Sequence, residues 1–258
     1  MNIVVCVKQV PSSNEVRLDP VTNTIIRDGR AAVINPFDSH ALEAALCLRE
    51  QLGGAVSVLS MGIPACASML RDCMARGADR AMLLTDRAFA GADTLATSYA
   101  LSLGVRQLGP FDLILCGRMA VDGDTAQIGP ELAERLNIPH VSDVFDIEAQ
   151  SDCLLVWRET DDGAERLRVP LPALVTVTRD LGNPRLPSIA GVLRGEAASV
   201  AIADAPGVKA DPAQCGLSGS PTQVTRTFVP QGRGQARTIA GTADEQACAI
   251  ADILGEVL

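Results

Sequence analysis

Aromatic side chains are scarce, 3% of the chain against 47% hydrophobic residues overall, so the interior has to be built mainly from alanine, valine and leucine, which suit helices packed on parallel strands. Histidine is scarcer still: only His40 and His140 occur in 258 residues. No nucleophile–base pair stands out, and both histidines read as structural or surface residues. Eight cysteines are scattered without a Cys-x-x-Cys spacing, a pattern of reduced, buried thiols that disfavours zinc, an iron–sulfur cluster or a disulfide frame. Cys66 and Cys73 fall on one expected helix, but two turns separate them by about 10 Å, too far for a disulfide. Basic charge is in deficit, with a formal net charge of −9. No nucleic-acid partner is therefore expected, and any phosphate must be held by backbone amides and local arginine. No apolar run approaches the ~18 residues that cross a bilayer. The first residues lead straight into a strand pattern with no charged n-region or cleavage site, so a soluble, cytoplasmic protein without membrane insertion is expected. Also missing are Gly-x-Gly-x-x-Gly after the first strand and a Walker lysine loop, which weighs against a dinucleotide dehydrogenase and a P-loop nucleotidase.

What is present is alternation. Apolar runs at 3–7, 55–60, 81–84 and 113–116 read as buried strands, and helical patterns at 38–52, 65–76, 93–107 and 126–136 lie between and after them. Residues 38–52 place Ala41, Leu42, Ala45, Leu46 and Leu52 towards one side, and Gly53-Gly54 stops the helix. This order predicts an α/β fold, a doubly wound and mostly parallel sheet with right-handed crossovers. Beyond Pro139, runs at 144–148, 153–158, 165–169 and 173–178 read as added strands, with Asp161-Asp162-Gly163 as a hairpin turn. Residues 183–211 are rich in Pro, Gly and Ala and lack an amphipathic period, which predicts an extended C-terminal arm; a last helix is expected at 243–257. Two domains are expected: 1–182, nucleotide-binding, and 183–258, the arm and last helix, contacting a partner subunit unless the arm wraps its own domain.

Ligands bind such sheets at the C-terminal edge. The richest loop there is 117–130, in which Gly117 ends a strand and a helix begins near Thr125 or Ala126 with free amides and the positive end of its dipole. Gly123 allows a positive φ, Asp122 and Asp124 can accept from ribose hydroxyls, and Thr125 and Gln127 offer neutral donors. The competing reading is a plain cap, with Asp124 serving the Ala126 and Gln127 amides. Three more loops share this edge. Val7-Lys-Gln-Val-Pro11 follows the first strand. In Ile34-Asn-Pro-Phe-Asp38, Asn35 either meets an adenine edge or caps the helix. In 86–98, Gly91 allows close approach, Thr94, Thr97 and Ser98 supply hydroxyls, and Arg87 is set to meet a phosphate or a flavin carbonyl, unless Asp93 merely caps the helix and Arg87 is solvated.

Together Val7-Lys-Gln-Val-Pro11, Ile34-Asn-Pro-Phe-Asp38, Gly77-Ala-Asp79, Asp122-Gly-Asp-Thr-Ala-Gln-Ile-Gly-Pro130, Asn183-Pro-Arg-Leu-Pro187 and Gly219-Ser-Pro-Thr222 give a chain that resembles the β subunit of electron-transfer flavoprotein over nearly its whole length. The resemblance implies a heterodimer with an α subunit, a redox FAD shared with that subunit, and an adenine nucleotide in the β subunit, either AMP or a second FAD. It carries nucleotide contacts over to Val7, Asn35, Phe37, Asp38, Met61, Gly117, Asp122, Asp124, Thr125, Gln127 and Ile128. The 86–98 segment is similar to the electron-bifurcating type, which favours FAD and adds Arg87, Gly91, Asp93, Thr94 and Thr97. Leu186, Ile189, Val192 and Leu193 match a loop that docks an acyl-CoA or related dehydrogenase, with Ile189 as the anchor; the lysine-rich run often found after that loop is replaced by Arg194-Gly-Glu-Ala-Ala-Ser199. In the bifurcating version NADH is the hydride donor, and ferredoxin or flavodoxin takes one electron. A non-redox nucleotide-binding regulator of the stress-protein type is the alternative, and the missing glycine fingerprint leaves an NAD-dependent dehydrogenase weaker still.

Overall fold

The computed structural model describes residues 1–12, 32–150, 152–226 and 238–257. They fall into two compact units, Met1–Thr225 and Arg226–Leu258. The first unit opens with β1 (Asn2–Cys6), β2 (Gln9–Pro11), β3 (Ala32–Ile34), α1 (Pro36–Leu52), β4 (Ala55–Met61), α2 (Cys66–Arg76) and β5 (Arg80–Leu84). It continues with α3 (Thr94–Leu108), β6 (Leu113–Gly117), α4 (Ile128–Leu136), β7 (His140–Ala149), β8 (Cys153–Thr160) and β9 (Gly163–Pro170). β10 (Ala173–Val177), α5 (Ile189–Ala197) and β11 (Ala201–Ala203) complete it.

Among the described residues one nine-stranded sheet runs in the order β11-β5-β4-β1-β6-β10-β7-β8-β9. Strands from β11 to β7 pair in parallel, and β8 and β9 add antiparallel partners at one end. Strand periodicity of two sends alternate residues to opposite faces. Ile3, Val5, Val56, Val58, Leu113 and Leu115 pack with Leu42 and Leu46 of α1 and Leu70 of α2. Val4, Cys6, Leu59, Ile114 and Cys116 pack with Ala100 and Val105 of α3 and Leu132 of α4. Helices therefore cover both faces, as the alternation predicts. The chain passes from β1 through α1 to β4 on one side, and returns through α3 to β6 on the other. Such a reversal is where doubly wound sheets offer a ligand crevice, and here it falls at the ends of β1 and β6.

The expected strands lie within the observed ones apart from a single terminal residue at 7 and at 178. Leu52 differs from its expected role: it closes α1 before Gly53-Gly54 and is exposed. The short β2–β3 ribbon was not expected; each strand has three residues, too few for a visible period.

Residues 183–211 depart further from a purely extended run, since α5 and β11 lie within them and β11 pairs with β5 as an edge strand. The only buried residues of α5 are Gly191 and Gly195. Added Cβ atoms there would meet the carbonyl oxygens of Ala75 at 2.3 Å and Arg71 at 2.6 Å, so α5 lies backbone-close on α2. Just before it, the Arg185 guanidinium holds Glu43 of α1 at 2.9 Å and also meets Glu50. Burial pushes the Glu43 carboxyl up, but the Arg185 bonds prevail and hold it below the usual carboxylate range.

In the second unit α6 (Ala243–Val257) occupies the expected span. Its start is a capping box: Glu245 accepts from the Thr242 amide at 2.7 Å, while Thr242 Oγ1 accepts from the Glu245 amide at 3.4 Å.

Candidate nucleotide site

Parallel pairing places the exits of β1, β4, β5 and β6 on one edge of the sheet. At its centre is the corner between β3 and α1. Asn35 is fully buried, and its side chain neither faces outward nor caps α1. Its Nδ2 donates to the Met119 carbonyl at 2.8 Å and its Oδ1 accepts from the Val121 amide at 3.2 Å. Asp38 is likewise buried, with Oδ2 accepting from the Lys8 amide at 2.7 Å and Oδ1 from the Gly117 amide at 3.2 Å. Burial pushes its carboxyl up to about 7 against the opposing hydrogen bonds from Asn35, Lys8 and Gly117. Gly117 has no room for a side chain, because a Cβ would lie 2.4 Å from Asp38 Oδ1 and 2.6 Å from Phe37 Cβ. Phe37 is buried, with the Arg179 guanidinium 4.6 Å from its ring centre. Val7 is buried beyond β1 and Met61 half-buried at the end of β4.

From Val121 to Gln127 every residue is exposed. Lys8 Nζ reaches Asp122 at 2.7 Å, and the Gly123 and Asp124 amides donate to the Ala120 carbonyl at 3.2 and 2.8 Å. The left-handed positions are Asp124 (φ 52) and Ala126 (φ 55), not Gly123. A right-handed helix cannot start through such residues, so α4 begins at Ile128, later than the expected 125 or 126. The cap from Asp124 is not formed. Gln127 precedes the helix without a side-chain cap, and the amides of 125–129 donate to no described group. Thr125 and Gln127 thus stand beside an open helix N-terminus, with Ile128 half-buried behind them.

The loop after β5 behaves differently. Asp93 does cap α3, accepting from the Ala96 amide at 3.1 Å, and it also accepts from the Thr222 amide and hydroxyl at 3.1 and 2.9 Å. Gly91 adopts φ 72, and the close approach it permits is to Leu217, whose Cγ lies 2.7 Å from where a Cβ would sit. The Arg87 guanidinium is exposed and meets no partner among the described residues. Thr97 donates its amide to the Asp93 carbonyl at 2.9 Å. Thr94 Oγ1 lies 3.1 Å from Gln127 Oε1 and 2.9 Å from Glu131 Oε1, joining the starts of α3 and α4.

Glu131 was missed by sequence reasoning. Its Oε2 is buried without a partner among the described residues, as is Ser60 Oγ near the end of β4. The one available signal was its place a helical turn beyond Gln127.

An adenine nucleotide brings phosphates that need donors and hydroxyls that need acceptors. The open amides of 125–129 supply the first, and the exposed Asp124 carboxylate offers the second, so the residues present fit such a group. No cluster of metal-ligating side chains occurs among the described residues. No helix among them is long and apolar enough to cross a membrane. Away from this edge, Leu186 is 86% exposed and Ile189 85%, with Leu193 and Val192 exposed beside them.

Residues 22–206 match the electron transfer flavoprotein domain. The chain is 45% identical over 243 residues to the "Caffeyl-CoA reductase-Etf complex subunit CarD" of Acetobacterium woodii, covering 94% of this chain and 93% of that protein. It is 47% identical over 246 residues to "Electron transfer flavoprotein subunit beta" of Thermoanaerobacterium thermosaccharolyticum, covering 95% and 94%. To "Protein FixA" of Bradyrhizobium diazoefficiens it is 42% identical over 263 residues, covering 98% and 91%.

Proposed function

Given that the chain belongs to the electron transfer flavoprotein family, we propose that it is a β subunit that pairs with an α subunit, holds FAD in preference to AMP at the β1/β6 crevice, and serves flavin-based bifurcation. The chemistry FAD supplies when bound is acceptance of hydride from NADH and release of its two electrons singly, one towards ferredoxin or flavodoxin and one towards the FAD shared with the α subunit.

The run of unpartnered amides at 125–129, leading into the first turn of α4 beside the crevice, carries this reading. Those amides and the dipole of α4 would bind phosphate with no help from a basic patch, consistent with the acidic chain. The exposed Asp124 would accept from ligand hydroxyls, while Glu131 holds Thr94 beside the start of α4. Arg87, exposed on a loop anchored by Asp86 to Ala205 and by Asp93 to Thr222, would place a fixed positive charge near reduced flavin. The similarity of that loop to the bifurcating type is what favours FAD over AMP, which has no isoalloxazine ring to reach it. On α5 the exposed Ile189 would anchor an acyl-CoA or related dehydrogenase. The stress-protein-type regulator is not favoured, since family membership extends over nearly the whole chain.

Counting cofactors released from the purified α/β complex tests this reading. Two FAD per heterodimer are expected; one FAD with one AMP would refute the bifurcating assignment and leave the simple carrier.

A further inference from the structure

The resemblance places Asp38 among the nucleotide contacts, yet both of its carboxylate oxygens are taken by the chain's own amides. The Lys8 amide belongs to the exit of β1 and the Gly117 amide to the last residue of β6. These are the two strands between which the winding of the sheet reverses, so one buried carboxylate bridges both lips of the crevice. Its neighbours reinforce the bridge: Asn35 fastens the Met119 carbonyl and Val121 amide beyond β6, and Lys8 Nζ crosses to Asp122. Gly117 is shaped to this arrangement, having no space for a Cβ against Asp38 and Phe37.

We propose that Asp38 is a positioning residue, whose carboxylate fixes the separation of the β1 and β6 exits and so sets the affinity of the crevice for an adenine nucleotide without touching it. This rests on the reading that the nucleotide binds at this edge. An ionised carboxylate accepts on both oxygens, whereas a protonated one turns one oxygen into a donor and must loosen one of the two amide bonds. Protonation should therefore slacken one lip.

The groups facing Asp38 are Lys8 from the exit of β1, Cys116 from β6 and Cys73 from α2. Lys8 is paired with Asp122. A hydrogen bond with Cys6 and burial raise the Cys116 thiol, and burial pushes Cys73 up to about 12, so both remain thiols near neutrality. His40, two residues along α1, lies 2.7 Å from the Gly182 carbonyl and is removed as a source by its own variant.

The test is calorimetric titration of the nucleotide-stripped α/β complex with AMP, the portion common to both candidate cofactors, from about pH 5.5 to about pH 8.5. Beyond the rise that the AMP phosphate itself gives, affinity should increase about tenfold across this range, with a midpoint of about 7, and His40→Gln should keep the profile. Asp38→Asn retains the shape but points an amide donor at one of the two N–H groups. It should bind about tenfold or more weakly, keeping only the pH dependence that the AMP phosphate, with a second pKa of about 6, brings to both proteins. Wild-type affinity in Asp38→Asn with the profile intact would overturn the proposal, and so would a wild-type profile showing only the phosphate's rise, even if the variant does not fold. No AMP binding by the wild type at any pH would instead overturn the reading of the edge as a nucleotide site.

Discussion

Asp38 carries charge where burial resists it, and the consequence for stability has a definite sign. Its folded value of about 7 lies above the usual carboxylate value, so the native state binds a proton more tightly than the unfolded chain. The Asp38 contribution to stability is therefore full below about pH 4 and is lost as pH rises towards about 7, by an amount on the order of a few kcal/mol. Glu43 acts in the other direction and in another window. Its folded value is depressed by Arg185 despite burial, so its contribution is present above the unfolded value and disappears as pH falls through the folded one. Urea unfolding at pH values between these limits should show stability falling with pH in the wild type and a shallower slope in Asp38→Asn; equal slopes would count against this account. Gly117→Ala places a Cβ 2.4 Å from Asp38 Oδ1. It should cost about 1–3 kcal/mol through overpacking and reduce retained nucleotide, and a variant with unchanged melting and full cofactor content would show the corner to be slack.

Among the elements, the central strands were legible as short continuous apolar runs, as in β1 and β6, and the helices by their 3.6 period, as in α1. α5 was not. Its buried positions are glycines, which leave no amphipathic trace, while its apolar residues face outward. The start of α4 was misplaced because left-handed residues fell on Asp124 and Ala126 rather than on the glycine between them and the strand. The residue types at the site were readable, but the roles of Asn35 and Asp38 were not, since their partners lie 86 and 79 residues away in the chain. Two substitutions separate the faces of α5. Ile189→Ala alters an exposed side chain and should leave melting and nucleotide content unchanged, while slowing electron transfer to the dehydrogenase about tenfold. Gly195→Ala would press a Cβ to 2.6 Å from the Arg71 carbonyl oxygen and should lower stability by about 1–3 kcal/mol. Should Ile189→Ala release cofactor instead, α5 would be serving the nucleotide site and not a partner.

Across the whole molecule, one topological fact organises the rest: parallel strands deliver four loops to a single edge, and the reversal of winding between β1 and β6 parts two of them. The same edge holds the unpartnered amides before and at the start of α4, the orphan oxygen of Glu131 and the buried bridge of Asp38. Hydrogen exchange of the α/β complex, compared with and without its adenine nucleotide, tests most directly whether this edge is the binding site. Protection should concentrate in the amides of 122–129, which have no acceptor or only a loop acceptor among the described residues. Unchanged exchange in that segment, with protection gained elsewhere in the chain, would contradict the assignment.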